Sequence, residues 1–161
     1  MDDVAGIGVS ASNDAKGDAM SESYRGSCLC GVARFEIDEF LPQVAHCHCS
    51  MCRKFHGAAY ATIAGVSRSN FRWVEGRDAL KEYTAENGTT RTFCRHCGSS
   101  LTFSSPRASE EVVEVALGTV DGDVPVEPNA HIFVSSGANW TVLGDDLPKY
   151  EAGRDSAMVK K

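Results

Sequence analysis

Short runs in which apolar and polar residues alternate recur along the chain, and each run has the length of a β-strand. In residues 32–37 the alternation places Ala33, Phe35 and Ile37 on one face. Asn87-Gly88 is typical of a tight hairpin turn between two such runs. Further strands are predicted at 58–66, 71–74, 80–84, 89–93, 101–103, 112–120 and 131–134. The pattern therefore predicts a mainly β fold.

Helix is predicted in one place only, as a short helical turn over residues 49–55 that ends at Gly57. Residues 1–23 are small and polar with no sustained apolar period, which predicts a disordered N-terminal arm. Residues 24–150 carry the strand pattern and are predicted to form one β domain. Residues 151–161 are predicted to be a C-terminal tail.

The composition and net charge argue against several classes of function. The chain has 161 residues, of which 42% are hydrophobic, as in an ordinary one-domain globule. Its net charge of −6 argues against nonspecific nucleic-acid binding, which needs a basic surface. The sequence contains no apolar run of membrane-spanning length and no signal-peptide pattern at its start. We therefore expect a cytoplasmic protein with neither a membrane nor a nucleic acid as partner.

Seven cysteines lie in three tight clusters, and this spacing favours metal binding over disulfides. Two of the clusters are pairs, and Cys94-Arg95-His96-Cys97-Gly98 has the form of a zinc knuckle. Since one knuckle supplies only two ligands, the other pair is its natural partner. The predicted structural zinc site therefore consists of Cys28, Cys30, Cys94 and Cys97.

The remaining cluster, Cys47, Cys49 and Cys52, has no fourth cysteine. A nearby histidine could complete a second zinc site, with His46, His48 and His56 as local candidates. Alternatively, the fourth position stays open to water or substrate, as in catalytic zinc sites. An open thiolate-rich zinc suits a thiol substrate, because zinc lowers the thiol's pKa and prepares it to attack a small carbonyl.

The three clusters, with their neighbours, resemble the glutathione-dependent formaldehyde-activating enzyme family, which also includes centromere protein V. The resemblance rests on Gly26-Ser27-Cys28-Leu29-Cys30-Gly31, on residues 47–54 and on Arg91-Thr92-Phe93-Cys94-Arg95-His96-Cys97-Gly98. It implies a twisted multi-sheet β fold of the Mss4-like kind with zinc-binding turns and little helix. It also implies a structural zinc at the two pairs and a catalytic zinc at Cys47, Cys49 and Cys52, hence two zinc ions per chain.

The activity that this resemblance implies is the condensation of glutathione with formaldehyde, which is classed with the carbon–sulfur lyases. A thiol, glutathione, and a small aldehyde are then the expected partners. Two other functions are compatible with the same residues. One is a binding module that zinc merely stabilises, and the other is a redox sensor whose central thiolates lose zinc on oxidation.

Overall fold

The alternating segments form ten β-strands and one short α-helix in the computed structural model, which describes residues 23–106 and 108–159. The strands are β1 (Tyr24–Ser27), β2 (Arg34–Ile37), β3 (Val44–Cys47), β4 (Ala61–Ser67), β5 (Phe71–Glu75), β6 (Leu80–Thr84), β7 (Thr90–Cys94), β8 (Ser100–Ser104), β9 (Val112–Ala116) and β10 (His131–Ile132). The helix α1 (Ser50–His56) follows β3. The predicted mainly β, Mss4-like class with little helix is confirmed.

The strands form two sheets. A three-stranded sheet has the order β1-β2-β5, and a seven-stranded sheet has the order β10-β3-β4-β9-β8-β7-β6. All pairs are antiparallel except β10 with β3, which places His131 beside His46 and Ile132 beside Cys47. This one parallel pair brings the C-terminal part of the chain to the strand that carries the first cysteine of the central cluster.

The two faces of the large sheet pack against different neighbours, because successive side chains of a strand point to opposite faces. In β3 and β4, Val44 and Ala64 pair on the face that joins the main core, together with Phe35 and Ile37 of β2. On the other face, Cys47, Ala61 and Ile63 form a second, smaller cluster with Cys52 of α1. The central cysteines therefore lie on the face of the large sheet that α1 covers.

Several predicted boundaries differ from the structure. The strand predicted over 58–66 begins at Ala61, after the turn that follows Gly57. The strand predicted over 112–120 ends at Ala116, where a turn of 3-10 helix takes over. The strand predicted over 131–134 stops at Ile132, because Phe133 adopts a left-handed backbone with φ of 58°. Strands β1 and β3 were not predicted.

The predicted terminal segments lie at the limits of the described chain. The N-terminal arm, residues 1–23, falls outside the described residues except for Ser23. Of the predicted tail, residues 151–159 are described, and Arg154 donates a hydrogen bond from Nη2 to the backbone oxygen of Val44 at 2.8 Å. Tyr150 and Met158 also form a β-bridge. This segment is therefore held against β3.

Gly76 gives a test of the fold. Its φ is +67°, and a Cβ there would stand 2.1 Å from the backbone oxygen of Val32. Gly122 has a φ of +85° but nothing within 4 Å of such a Cβ. A left-handed backbone alone costs an alanine about 1–2 kcal/mol. We expect Gly122→Ala to lose about that much stability in urea unfolding and Gly76→Ala at least twice as much. Equal losses would contradict the tight packing of this turn.

Candidate metal centres

Four cysteine sulfurs from two segments of the chain meet at one end of the small sheet. Cys28 and Cys30 follow β1, Cys94 ends β7, and Cys97 follows a tight turn. All four sulfurs lie within 4.8 Å of one another, with 3.5 Å between Cys28 and Cys30 and 3.8 Å between Cys30 and Cys94. In a tetrahedral site with zinc–sulfur bonds of about 2.3 Å, the sulfurs stand about 3.8 Å apart. The four predicted ligands therefore fit one zinc ion.

The backbone around the four-cysteine group is arranged to support thiolates. Cys28 Sγ accepts a hydrogen bond from the backbone N–H of Ala33 at 3.3 Å. Cys97 Sγ lies 3.3 Å from the hydroxyl of Ser99, and this hydrogen bond lowers the pKa of Cys97 to about 5. Gly98 allows the turn with a φ of +76°. Donors directed at sulfur favour the deprotonated form that a metal requires.

The three central cysteines come together around the start of α1. Cys47 ends β3, Cys49 is the N-cap residue of the helix, and Cys52 lies in its first turn. Their sulfurs lie within 4.8 Å of one another, and Cys49 Sγ accepts a hydrogen bond from the backbone N–H of Cys52 at 3.3 Å. Cys47 and Cys52 are buried, whereas Cys49 is half-buried.

Among residues 23–106 and 108–159, no histidine or carboxylate joins this three-sulfur group. His46 contacts the hydroxyl of Thr62 from Nδ1 at 2.9 Å, and His48 contacts His131 instead of the sulfurs. His56 is likewise outside the group. Closure of the site by a local histidine, which the sequence left possible, thus has no geometric support in this structure.

The short distances between the three thiols oppose their simultaneous ionisation and so favour binding of a cation. Hydrogen bonds from the Cys47 and Cys52 thiols lower the pKa of Cys49 to about 2, and the same contact with Cys49 raises the pKa of Cys47. One thiolate is therefore readily formed and its neighbours resist ionisation. A divalent cation offsets the repulsion between neighbouring thiolates, and three sulfurs are the soft donors that zinc prefers. The three residues fit a zinc ion that keeps one coordination position for another ligand.

Comparison with known proteins places the chain in a family. The profile of the family described as glutathione-dependent formaldehyde-activating enzyme matches residues 23–136. A curated Halomonas elongata protein, provisionally named a glutathione-dependent formaldehyde-activating enzyme, is 33% identical over 125 residues, which are 73% of this chain and 79% of that protein. The chain belongs to this family.

Two further relatives agree with this placement. An uncharacterized lyase of Schizosaccharomyces pombe is 25% identical over 81 residues, which cover 50% of this chain and 57% of the lyase. A crystal structure of a Rhodobacter sphaeroides protein is 30% identical and superposes with a TM-score of 0.54. That superposition covers 63% of this chain and 91% of the other. The mainly β fold and an enzymatic role are thus shared with relatives.

In this family member, a series of hydrogen-bonded polar groups leads away from the three-cysteine group, from two buried histidines to an exposed carboxylate. His48, between two of the cysteines, has its Nε2 atom 2.8 Å from Nδ1 of His131, and His131 Nε2 lies 2.8 Å from a carboxylate oxygen of Asp145. Both rings are buried, with 1% exposure. Because a carboxylate only accepts, His131 donates Nε2–H to Asp145. When both rings are neutral, its Nδ1 accepts from His48.

The pKa values of His48 and Asp145 follow from the same contacts. Burial, aided by the nearby His131, lowers the pKa of His48 to about 4, so its ring is neutral at pH 7. The hydrogen bond from His131 lowers the pKa of Asp145 to about 2. Neither periodicity nor residue spacing indicates this arrangement, since His48 and His131 are 83 residues apart and meet only through the pairing of β3 with β10.

Replacing His131, the middle residue of this hydrogen-bonded series, is expected to destabilise the protein. His131→Ala leaves the buried Nε2 of His48 without its partner, which costs about 1–3 kcal/mol. His96→Ala removes an exposed imidazole and is expected to change stability by less than about 0.5 kcal/mol. Urea unfolding of the two zinc-loaded variants measures the difference. Equal stabilities would mean that the contact between the two imidazoles contributes nothing.

In the described chain, no helix is long and apolar enough to cross a membrane. All seven cysteines lie among the described residues and are free thiols.

Proposed function

We propose that the protein binds two zinc ions and uses the one at Cys47, Cys49 and Cys52 to activate glutathione for reversible addition to formaldehyde. The observation that carries this proposal is the group of three sulfurs with no fourth cysteine, histidine or carboxylate among the described residues. Family membership and the name of the Halomonas elongata relative support the choice of thiol and aldehyde. In the reverse direction the reaction is that of a carbon–sulfur lyase.

The three central cysteines are held in place by different contacts and differ in exposure. Cys47 and Cys52 are fixed by burial against the large sheet, and Cys49 is fixed by the hydrogen bond that it accepts at the start of α1. Cys49 is the most exposed of the three, so a thiol substrate approaches from its side. Zinc, when bound, lowers the pKa of a thiol at the open position and so supplies a thiolate at neutral pH.

The four-cysteine group has a different role in this proposal. Its ligands come from the segment after β1 and from the end of β7 with the turn that follows it, so a bound zinc would tie the small sheet to β7 of the large sheet. With four sulfur ligands no position is left for a substrate, as in structural zinc sites. The two sites are therefore expected to differ in function although both bind through cysteine.

NMR exchange spectroscopy on glutathione and formaldehyde tests the proposed reaction. The signals of free glutathione and S-hydroxymethylglutathione report the rate at which they interconvert. We expect the zinc-loaded protein to accelerate this exchange well beyond the rates in buffer and with an equal amount of zinc chloride. An exchange rate equal to that with zinc chloride would contradict the proposal.

A further inference from the structure

A small cavity lies beside the central cysteines, between α1 and the large sheet. It has room for about one water-sized molecule, with a volume of about 10 Å³. The helix contributes Cys52, Phe55 and His56 to its wall, and the sheet contributes Arg91, Ser100 and Phe103. Cys52, one of the three central cysteines, and Arg91 therefore line the same small cavity.

Arg91 is buried, with only 4% of its surface exposed. Its guanidinium carbon lies 5.6 Å from the centre of the Phe55 ring and 5.9 Å from that of Phe103, so two aromatic faces hold it in place. Among residues 23–106 and 108–159, no carboxylate lies within 4.0 Å of the guanidinium nitrogens. A buried charge without a carboxylate partner is costly, and it needs another source of negative charge.

The three-cysteine site supplies that negative charge. Three thiolates and one divalent cation sum to −1, which matches the single positive charge of Arg91. Arg91 and Cys52 line the same cavity, so this positive charge stands beside a ligand of that site. Since a guanidinium carries five N–H donors, Arg91 can face this site and still donate to a further negative oxygen.

We propose that this cavity is the aldehyde subsite and that Arg91 donates hydrogen bonds to the carbonyl oxygen of a one-carbon aldehyde. The inference rests on the proposed function. As the thiolate sulfur attacks, a carbon–sulfur bond forms and the π electrons of the carbonyl move onto its oxygen. That oxygen then takes one proton from solvent, which replaces the proton released by the glutathione thiol. Fixed donors aimed at the developing charge are an effective means of stabilising such a step.

The size of the cavity also predicts which aldehydes react. Formaldehyde, with two non-hydrogen atoms, is the smallest aldehyde and only slightly exceeds this water-sized space, whereas acetaldehyde carries an additional methyl group. Excluding one methyl group from a well-packed pocket typically discriminates by about 10–200-fold. We expect the native protein to accelerate glutathione exchange with acetaldehyde at least about 10-fold less than with formaldehyde. Comparable acceleration of both would overturn the assignment of this cavity.

Formate gives a test that does not depend on turnover, because it is a stable one-carbon anion. Its second oxygen is smaller than the methyl group of acetaldehyde and is a further acceptor for the guanidinium group. With cobalt in place of zinc, binding of formate near the three-cysteine site broadens the carbon NMR line of formate. We expect broadening with the native protein, at least 10-fold weaker binding to Arg91→Met, and intermediate binding to Arg91→Lys. Arg77→Met, which removes an exposed arginine elsewhere, is the matched control and should bind like the native protein. Acetate should not bind.

The outcomes separate this inference from the proposed function. If formate binds equally to the native protein and to folded Arg91→Met, or if Arg91→Lys and Arg91→Met behave alike, Arg91 is not the oxygen-binding residue. If formate binding depends on Arg91 while glutathione exchange is not accelerated, the one-carbon subsite stands and the proposed thiol reaction fails. If exchange with formaldehyde is as fast in Arg91→Met as in the native protein, the proposed function stands and this inference fails.

Discussion

Cys52→Ala is expected to abolish the acceleration of glutathione–formaldehyde exchange while leaving the β fold intact. Cys52 is one of only three ligands available to the central site among the described residues, so its loss leaves two sulfurs for the metal. Changes to residues that merely support a metal ligand typically cost about 10–100-fold, and loss of a ligand should therefore cost more than about 100-fold. Metal analysis should find the zinc content reduced from two ions per chain to one.

The fold should survive this change because the main core lies on the opposite face of the large sheet. Met51→Ala is the matched control, since Met51 precedes Cys52 on α1 but is exposed. That variant should keep two zinc ions and native exchange. A Cys52→Ala protein that binds one zinc and still accelerates exchange would show that the chemistry does not occur at the three-cysteine site.

Cys94→Ala is expected to unfold much of the domain. Cys94 is fully buried in the main core and supplies a sulfur to the four-cysteine group, in which it meets Cys30 across 64 residues of chain. Zinc binding contributes about 10–16 kcal/mol in small zinc-dependent domains, and whole domains have a stability of about 5–15 kcal/mol. A loss of more than about 5 kcal/mol is therefore expected, enough to remove a cooperative thermal transition at room temperature and above.

Circular dichroism during heating measures this effect, with His96→Ala as the control. His96 is an exposed residue between Cys94 and Cys97, and it can be removed without touching a sulfur. The control should unfold at the native temperature and bind two zinc ions. If Cys94→Ala keeps a native transition with one zinc, the four-cysteine site does not stabilise the fold as described.

The local parts of the fold could be predicted because the sequence encodes them within a few residues. Ala33, Phe35 and Ile37 alternate with polar residues and are all buried, and α1 ends at Gly57, which adopts the left-handed backbone of a helix cap. Strand β3 was missed because both of its faces are buried, so its residues do not alternate, and because it runs directly into the cysteine cluster. The last residue of this four-residue strand, Cys47, is also the first cysteine of the central cluster, so the cysteine pattern obscures the strand pattern.

The candidate site was only partly predictable for a related reason. Cysteine spacing alone indicated both groups of sulfurs, because ligands of one metal come in close pairs along the chain. His131, Asp145 and Arg91 have no such spacing. His131 reaches His48 through the only parallel strand pair among the described strands, and Arg91 reaches Cys52 because β7 lies under α1. Contacts of this kind depend on how the sheet is ordered, which periodicity does not specify.

Cadmium NMR of the cadmium-loaded protein tests most directly whether the three-cysteine site is open to a thiol. Cadmium replaces zinc at cysteine sites, and its chemical shift reports the number of sulfur ligands. We predict two resonances. On addition of glutathione, the resonance of the four-cysteine site should stay in place, while that of the three-cysteine site should move toward the position of the four-sulfur site. A single resonance, or two resonances whose chemical shifts do not change when glutathione is added, would contradict the account.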